Sequence, residues 1–175
     1  ERLVQLKCKK HRNIFMDSMS DIADWKDEWI VEVFKAIEKN PQHNYLFLTK
    51  RPYIYERIKL LFHKDNVWCG ATAIDENSCI LNNIYLDQIH ELNTFLSIEP
   101  LLEEVGFGLG PYFKWVIIGA ETGNRKGKVI PKIEWIEKIV SECDRYNIPV
   151  FMKDSLIPIV GVENMLREFP EGLKK

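Results

Sequence analysis

Cysteine is scarce in this 175-residue sequence, and the four cysteines lie far apart along the chain. Cys8, Cys69, Cys79 and Cys143 show none of the close spacings, such as CxxC or CxxxCxxC, that bind a metal ion or an iron–sulfur cluster. They also lack the dense pattern of a disulfide-stabilised secreted domain. The sequence therefore predicts reduced, mostly buried thiols in a cytoplasmic protein, with no metal site among its own residues.

Other functional signals are missing as well. No apolar run approaches the roughly 18 residues that a membrane span needs, so we expect no membrane partner. The histidines have no HExxH or HxH spacing and no serine lies in a GxSxG motif, so the sequence does not support a zinc protease or a serine hydrolase. The net charge of −2 disfavours a nucleic-acid binder that relies on overall positive charge, although it is compatible with a local basic patch.

Short apolar runs alternate with longer amphipathic segments along the chain. The continuous apolar runs are typical of strands buried on both faces of a parallel sheet. The six predicted strands are Ile14–Met19, Tyr45–Thr49, Val67–Ala73, Thr94–Ile98, Trp115–Gly119 and Pro149–Lys153. With no repeat or interdomain linker, residues 1–175 are predicted to form a single α/β domain.

Four main helices are predicted between the strands, with a short helix near the carboxyl end. The first carries an apolar stripe from Trp29 to Ile37, with Ser20, Asp21 or Asp24 as its cap. The others begin at Pro52, at Asp75 and at Pro131, and the tail helix covers Val162–Arg167. The link from Pro100 to Lys114 contains three glycines and predicts a loop.

This alternation predicts right-handed βαβ units, and we expect a parallel sheet with its strands in the order of the six runs. Two architectures fit six parallel strands: an open doubly wound sheet and a (β/α) barrel, complete or partial. Periodicity does not separate them. In both, functional residues gather at the carboxyl ends of the strands.

Every predicted strand ends in polar residues that would lie on one rim. Glu99 and Glu121 follow buried strands, and we expect raised pKa values that suit them to proton transfer. The alternative is an ion pair of either carboxylate with Lys50, Arg51 or Lys153.

Two basic segments at the rim carry further hypotheses. Thr49-Lys50-Arg51 would hold an anion beside the helix that Pro52 begins, or would be a positive loop in water. The stretch 119–128 is glycine-rich and basic, which suits either a phosphate cradle or a mobile loop.

Several blocks together carry a resemblance to a known family. They are residues 14–21 (IFMDSMSD), 27–30 (DEWI), 48–52 (LTKRP), 66–70 (NVWCG), 96–102 (LSIEPLL) and 115–123 (WVIIGAETG). In this order they resemble a bacterial and phage family of unknown function whose members look like radical S-adenosylmethionine (SAM) enzymes. The resemblance covers residues 10–155, nearly the whole chain.

The resemblance implies a partial (β/α) barrel of the radical-SAM or TIM-like type, with a [4Fe–4S] cluster and SAM as cofactors of the full-length parent. Three thiolates of an N-terminal motif would hold the cluster, whose open iron takes the amine and carboxylate of SAM. This sequence lacks that motif and starts without methionine. We therefore expect this chain to lack an N-terminal cluster-bearing βα unit and to bind neither cofactor alone.

Carried over by position, eight residues would line the SAM and substrate side of the barrel. Glu99, Glu121 and Lys153 are the candidate catalytic residues, and the candidate cofactor-binding residues are Ser18, Ser20, Thr49, Lys50 and Ser97. The main hypothesis is a radical-SAM-like iron–sulfur protein of unknown substrate, inactive as this chain alone.

Two other functions remain open at this point. One is a non-catalytic barrel module that binds a phosphorylated ligand or nucleic acid through Lys50, Arg51, Arg125, Lys126 and Lys128. The other is an iron-free barrel enzyme that uses Glu99 and Glu121 for acid–base chemistry.

Overall fold

The structure, a computed structural model, describes residues 6–105 and 109–174. These residues form one curled, all-parallel sheet in the order β1-β2-β3-β4-β5-β6, which is a half-barrel. Its strands are β1 (Asn13–Phe15), β2 (Asn44–Thr49), β3 (Val67–Ala73), β4 (Asn93–Ile98), β5 (Val116–Ile118) and β6 (Val150–Met152). The predicted α/β class, parallel pairing and strand order are confirmed. The sequential order identifies a partial barrel, because the strand order of a doubly wound sheet reverses partway across.

Helices follow most of the strands. They are α1 (Asp27–Glu38), α2 (Tyr53–Ile58), α3 (Glu76–Asp87), α4 (Ile133–Arg145) and α5 (Ile157–Val160). The predicted cap of α3 is confirmed, since the Asp75 carboxylate accepts the Ser78 N–H at 2.8 Å. The predicted cap of α1 is wrong: Asp21 caps a short 3₁₀ turn at Ile22–Asp24, and Lys26 precedes α1 without a side-chain cap.

The main core lies between the helices and the convex face of the sheet. Cys69 on β3 and Cys143 on α4 are both fully buried there and both are free thiols, as predicted. Burial on both faces explains why the strands read as continuous apolar runs. The described part of the link from Pro100 to Lys114 contains no helix or strand, and Gly106 and Gly108 lie outside the described residues.

The predicted tail helix over Val162–Arg167 is wrong. A 3₁₀ turn covers Val162–Asn164, after which the chain extends and pairs antiparallel with β6 through Phe151 and Arg167. The Glu168 N–H donates to the Val150 carbonyl at 3.0 Å. The tail therefore satisfies backbone groups that the outer edge of β6 would otherwise expose.

The open half-barrel has two edge strands, β1 and β6. The edge of β6 is blocked by a neighbouring segment, whereas β1 pairs only with β2 among the described residues. None of the helices in the described part of the chain is long and apolar enough to cross a membrane.

Candidate functional site

The concave face of the half-barrel differs between its two ends. Near the amino ends of the strands it is filled by an apolar cluster of Leu46, Trp68, Phe95, Trp115, Ile117 and Leu173. The tail covers this end, where the Trp115 indole N–H donates to the Glu168 carbonyl at 3.0 Å. Polar side chains follow on the same face, because alternate residues of a strand point to one side. A ligand therefore has access only to the carboxyl rim of the concave face within the described structure.

Glu99 and Lys153 meet at this rim. Glu99 follows β4 and Lys153 follows β6, and the Lys153 ammonium lies 2.6 Å from Glu99 Oε1 and 2.7 Å from Oε2. The alternative prediction of an ion pair for Glu99 is thus confirmed, with Lys153 as its partner. Ser97, two residues before Glu99, is buried on the same face of β4.

The glycine that follows β5 leaves room for this ion pair. A Cβ atom at Gly119 would lie 3.0 Å from both Cγ and Oε1 of Glu99. Such a separation is tighter than ordinary van der Waals contact, so a larger residue would push the carboxylate aside. Gly119 therefore leaves the space in which Glu99 reaches across β5 toward β6.

A cleft of about 530 Å³ lies at the other side of the rim, at the ends of β1, β2 and β3. Its lining residues are Phe15, Asp17, Ser18, Ser20, Asp21, Asp24, Leu48, Lys50, Arg51 and Thr72. It brings together Ser18, Ser20 and Lys50, three of the predicted cofactor-binding residues. Thr49 is buried and does not line it, and Ser97 belongs to the Glu99 side of the rim.

Asp17 lines this cleft and is not among the predicted site residues. Its side chain is buried, and both carboxylate oxygens accept the Leu48 N–H, at 3.0 and 3.2 Å. Loss of hydration raises the pKa of Asp17 to about 7, against the opposing effect of the Leu48 bond. Its signal in the sequence was an acidic residue directly after the apolar run Ile14–Met16. Asp17 can hold or release a proton near neutral pH.

Asp21 organises the loop beneath the cleft. Its Oδ1 accepts the Thr49 hydroxyl at 2.6 Å, and its Oδ2 accepts the Lys50 N–H at 3.1 Å. Burial opposes ionisation of Asp21, but these bonds and the nearby Arg51 charge outweigh it and lower its pKa. Arg51 itself lies 2.5 Å from Asp24. Thr49 and Arg51 therefore bind carboxylates of the protein, whereas Lys50 is an exposed cation that lines the cleft.

The expected raised pKa of Glu121 is wrong. Glu121 accepts two bonds from the Arg125 guanidinium, at 2.6 and 2.8 Å, and the Val129 N–H at 3.1 Å. The Arg125 bond lowers the pKa of Glu121 to about 2. Glu121 therefore holds the glycine-rich loop 119–128 in place through contacts within the loop and at its end. Its ion-pair partner is Arg125 and not Lys50, Arg51 or Lys153, the partners that the sequence predicted.

The described residues do not fit an iron–sulfur cluster. Among them, no group of three histidine, cysteine or acidic side chains could hold a metal ion. Cys69, Cys79 and Cys143 are buried, and loss of hydration raises the pKa of each thiol, to about 12 for Cys79 and Cys143. Cluster ligands are thiolates, which such sites disfavour.

Comparison with known proteins gives one positive result. The family model described as "Protein of unknown function (DUF5131)" matches residues 2–156. Neither a curated protein nor a solved structure matches the chain.

Proposed function

The chain belongs to the DUF5131 family of proteins of unknown function, and we propose that it forms the SAM- and substrate-facing wall of a radical-SAM-like enzyme. The observation that carries the proposal is the half-barrel of six parallel strands whose concave face is apolar at one end and polar at the other. Barrel enzymes place their reacting groups at the carboxyl ends of parallel strands. The resemblance of the sequence blocks supplies the choice of cofactor.

Each side of the rim has a separate role in this proposal. Ser18, Ser20 and Lys50 of the cleft would hold SAM through hydroxyl groups and one ammonium group. Glu99 and Lys153 would bind the substrate, and Asp17 would hold a proton in the cleft beside SAM. When bound beside a reduced iron–sulfur cluster, SAM supplies one-electron chemistry. The described residues do not fit that cluster, so no reaction step through it follows from this structure.

The two other candidate functions have less support. Arg51 and Arg125, two of the five cations of a phosphate- or nucleic-acid-binding module, are bound to Asp24 and Glu121. Acid–base catalysis by Glu99 and Glu121 needs one carboxyl group that is protonated near neutral pH, and Glu121 is ionised there. Asp17 fits that requirement better. A cytoplasmic location, which the free cysteines favour, is part of the same proposal.

Titration of the isotopically labelled chain with SAM, followed by NMR, tests the proposal. The missing cluster motif by itself predicts no SAM binding by this chain, but the cleft keeps three of the predicted SAM-binding residues together. We therefore expect saturable shifts at Ser18, Ser20 and Lys50 even without the cluster, and weaker binding by a Ser18→Ala and Ser20→Ala double variant. Anaerobic reconstitution with iron and sulfide should leave this chain without a stoichiometric cluster. Absence of SAM binding at millimolar concentration contradicts the proposed function. Formation of a stoichiometric cluster contradicts the conclusion that the described residues do not fit an iron–sulfur cluster.

A further inference from the structure

We infer that the ion pair of Glu99 and Lys153 is a receptor for a free α-amino acid group, with its ammonium on Glu99 and its carboxylate on Lys153. The inference assigns a substrate class to the rim, and it rests on the proposed function in placing the substrate there. It is carried by the geometry of two opposite charges held across one glycine.

The two side chains are brought together by the barrel and not by local sequence. They lie 54 residues apart and follow strands that are separated by β5. Both continue the ladder of the sheet, because the Glu99 N–H donates to Ala73 and the Lys153 N–H donates to Ile118. Their backbones are therefore fixed by the sheet, while their side chains remain partly exposed at the rim, by 26% for Glu99 and 46% for Lys153.

The fold does not depend on this ion pair. β4, β5 and β6 are already held by backbone pairing in a continuous register. An ion pair with this exposure contributes little to stability, because water screens its charges. Opening it for a ligand therefore costs little.

An α-amino acid group matches the opened pair in charge and in hydrogen bonding. Its ammonium replaces the Lys153 ammonium as the donor to Glu99, and its carboxylate replaces Glu99 as the acceptor for Lys153. The ligand and the pair are each neutral overall, so the exchange leaves no uncompensated charge at the rim. A ligand that carries only one of the two charges would leave one member of the pair without a partner.

Neighbouring charges do not compete for either member. Asp154, next to Lys153, is bound by Arg167. Glu121 is bound by Arg125 within its own loop. The Ala120 N–H donates to the Ser155 hydroxyl at 2.9 Å, which ties the segment after β5 to the segment that follows Lys153. Among the described residues, Glu99 and Lys153 therefore pair with each other and remain accessible to a ligand.

The experiment compares probes that separate the amino acid group from the adenosyl group. Methionine, methionine methyl ester and 4-(methylthio)butanoate are titrated against the chain, together with SAM and 5′-methylthioadenosine. We expect saturable binding of methionine. The ester should bind more weakly because it lacks the carboxylate charge, and the butanoate should bind more weakly because it lacks the ammonium group. Glu99→Gln and Lys153→Met should each weaken methionine binding about tenfold, as expected for loss of a bond between charged groups.

Matched variants guard against a general loss of structure. Lys64→Met removes an ion pair with Glu38 near the amino ends of the strands and should leave methionine binding unchanged. Lys153→Arg keeps the charge and should retain binding. Methionine binding that is absent, or equal in the wild type, Glu99→Gln and Lys153→Met, overturns the inference.

The adenosyl probes distinguish this inference from the proposed function. Binding of 5′-methylthioadenosine without binding of methionine overturns the amino acid receptor and leaves the SAM proposal in place. Methionine binding that depends on Glu99 and Lys153, without binding of SAM or 5′-methylthioadenosine, supports the receptor and overturns the SAM proposal.

Discussion

Both carboxylate oxygens of Asp17 accept the backbone N–H of Leu48, so the acid at the end of β1 is tied to the neighbouring strand β2. The bond takes the place of the next rung of the β1–β2 ladder, since the last regular pair is Phe15 with Leu46. A buried acid thus ends the edge strand and lines the cleft at once.

The first prediction concerns the pH dependence that Asp17 imposes on stability. Because its pKa rises from 3.8 to about 7 on folding, the folded state retains a proton that the unfolded state releases. The stability that this retained proton contributes is fully present below the unfolded pKa of 3.8, and it is lost as the pH rises through the folded pKa of about 7. We expect Asp17→Asn to gain stability relative to the wild type over this window, by a few kcal/mol at most. Urea denaturation at several pH values measures this, with the exposed Asp27→Asn as control. A pH-independent difference would contradict the assignment.

The second prediction concerns the loop that Glu121 fastens. Glu121→Gln removes the charge that holds Arg125 and weakens acceptance of the Val129 N–H. Hydrogen exchange at Val129 should become faster, with little change in global stability because the loop is exposed. Glu142→Gln removes a comparable pair with Arg145 on α4 and should leave Val129 exchange unchanged. In the wild type, the protection is lost only as pH falls from the ordinary glutamate pKa toward about 2.

The third prediction concerns the contact between Gly70 and Phe95 on the concave face. A Cβ atom at Gly70 would lie 2.1 Å from the tip of the buried Phe95 ring. Gly70→Ala should therefore destabilise the fold by about 3 kcal/mol, the upper part of the range for overpacking. Adding Phe95→Leu should restore part of that loss, so the two effects will not add. Additive free energies of unfolding in the four-variant cycle would contradict the steric explanation.

The fourth prediction concerns the tail. Leu173 is buried against the aromatic cluster, so Leu173→Ala should cost about 2–3 kcal/mol of unfolding free energy. Leu60→Ala makes the same change at a side chain that is 82% exposed and should be neutral within error. Equal effects of the two substitutions in chemical denaturation would show that the tail does not cover the concave face.

The fifth prediction concerns thiol reactivity. Cys8 is partly exposed, whereas burial raises the pKa of Cys69, Cys79 and Cys143. A disulfide reagent should therefore modify Cys8 rapidly in the native chain and all four thiols only after denaturation. Mass spectrometry of the modified peptides identifies the residue. Fast native labelling at Cys79 or Cys143 would place that thiol near solvent.

The sheet was predictable because its residues carry a strong local pattern. β3 has the bounds predicted for it, and the parallel pairing follows from the alternation of strand and helix. The alternation alone did not separate a partial barrel from a doubly wound sheet, which differ in strand order. β1 is shorter than predicted because Asp17 captures Leu48 N–H with its side chain, which periodicity does not report. The partner of Glu99 remained open among three cations because register across three strands, not local sequence, selects Lys153.

The tail was mispredicted for a related reason. Its apolar residues suggested a helix, but Met165 and Leu166 pack against the main core, and the chain beyond them reaches the concave cluster through Phe169 and Leu173. Asp17 is not among the candidate residues because an acid after a strand is commonly a solvated cap. The burial of its side chain, which the sequence does not show, distinguishes a cleft acid from such a cap.

The tail that pairs with β6 also reaches β1, where the Asn13 amide donates to the Leu173 carbonyl at 2.9 Å. One short segment thus connects both edge strands of the half-barrel. Under mechanical load applied at the carboxyl end, the contact of Leu173 with β1 would break first, because it lies nearer that end than the pairing of Arg167 with β6. The two contacts would therefore bear the force one after the other. We expect single-molecule pulling from that end to show a low-force step before the sheet itself ruptures.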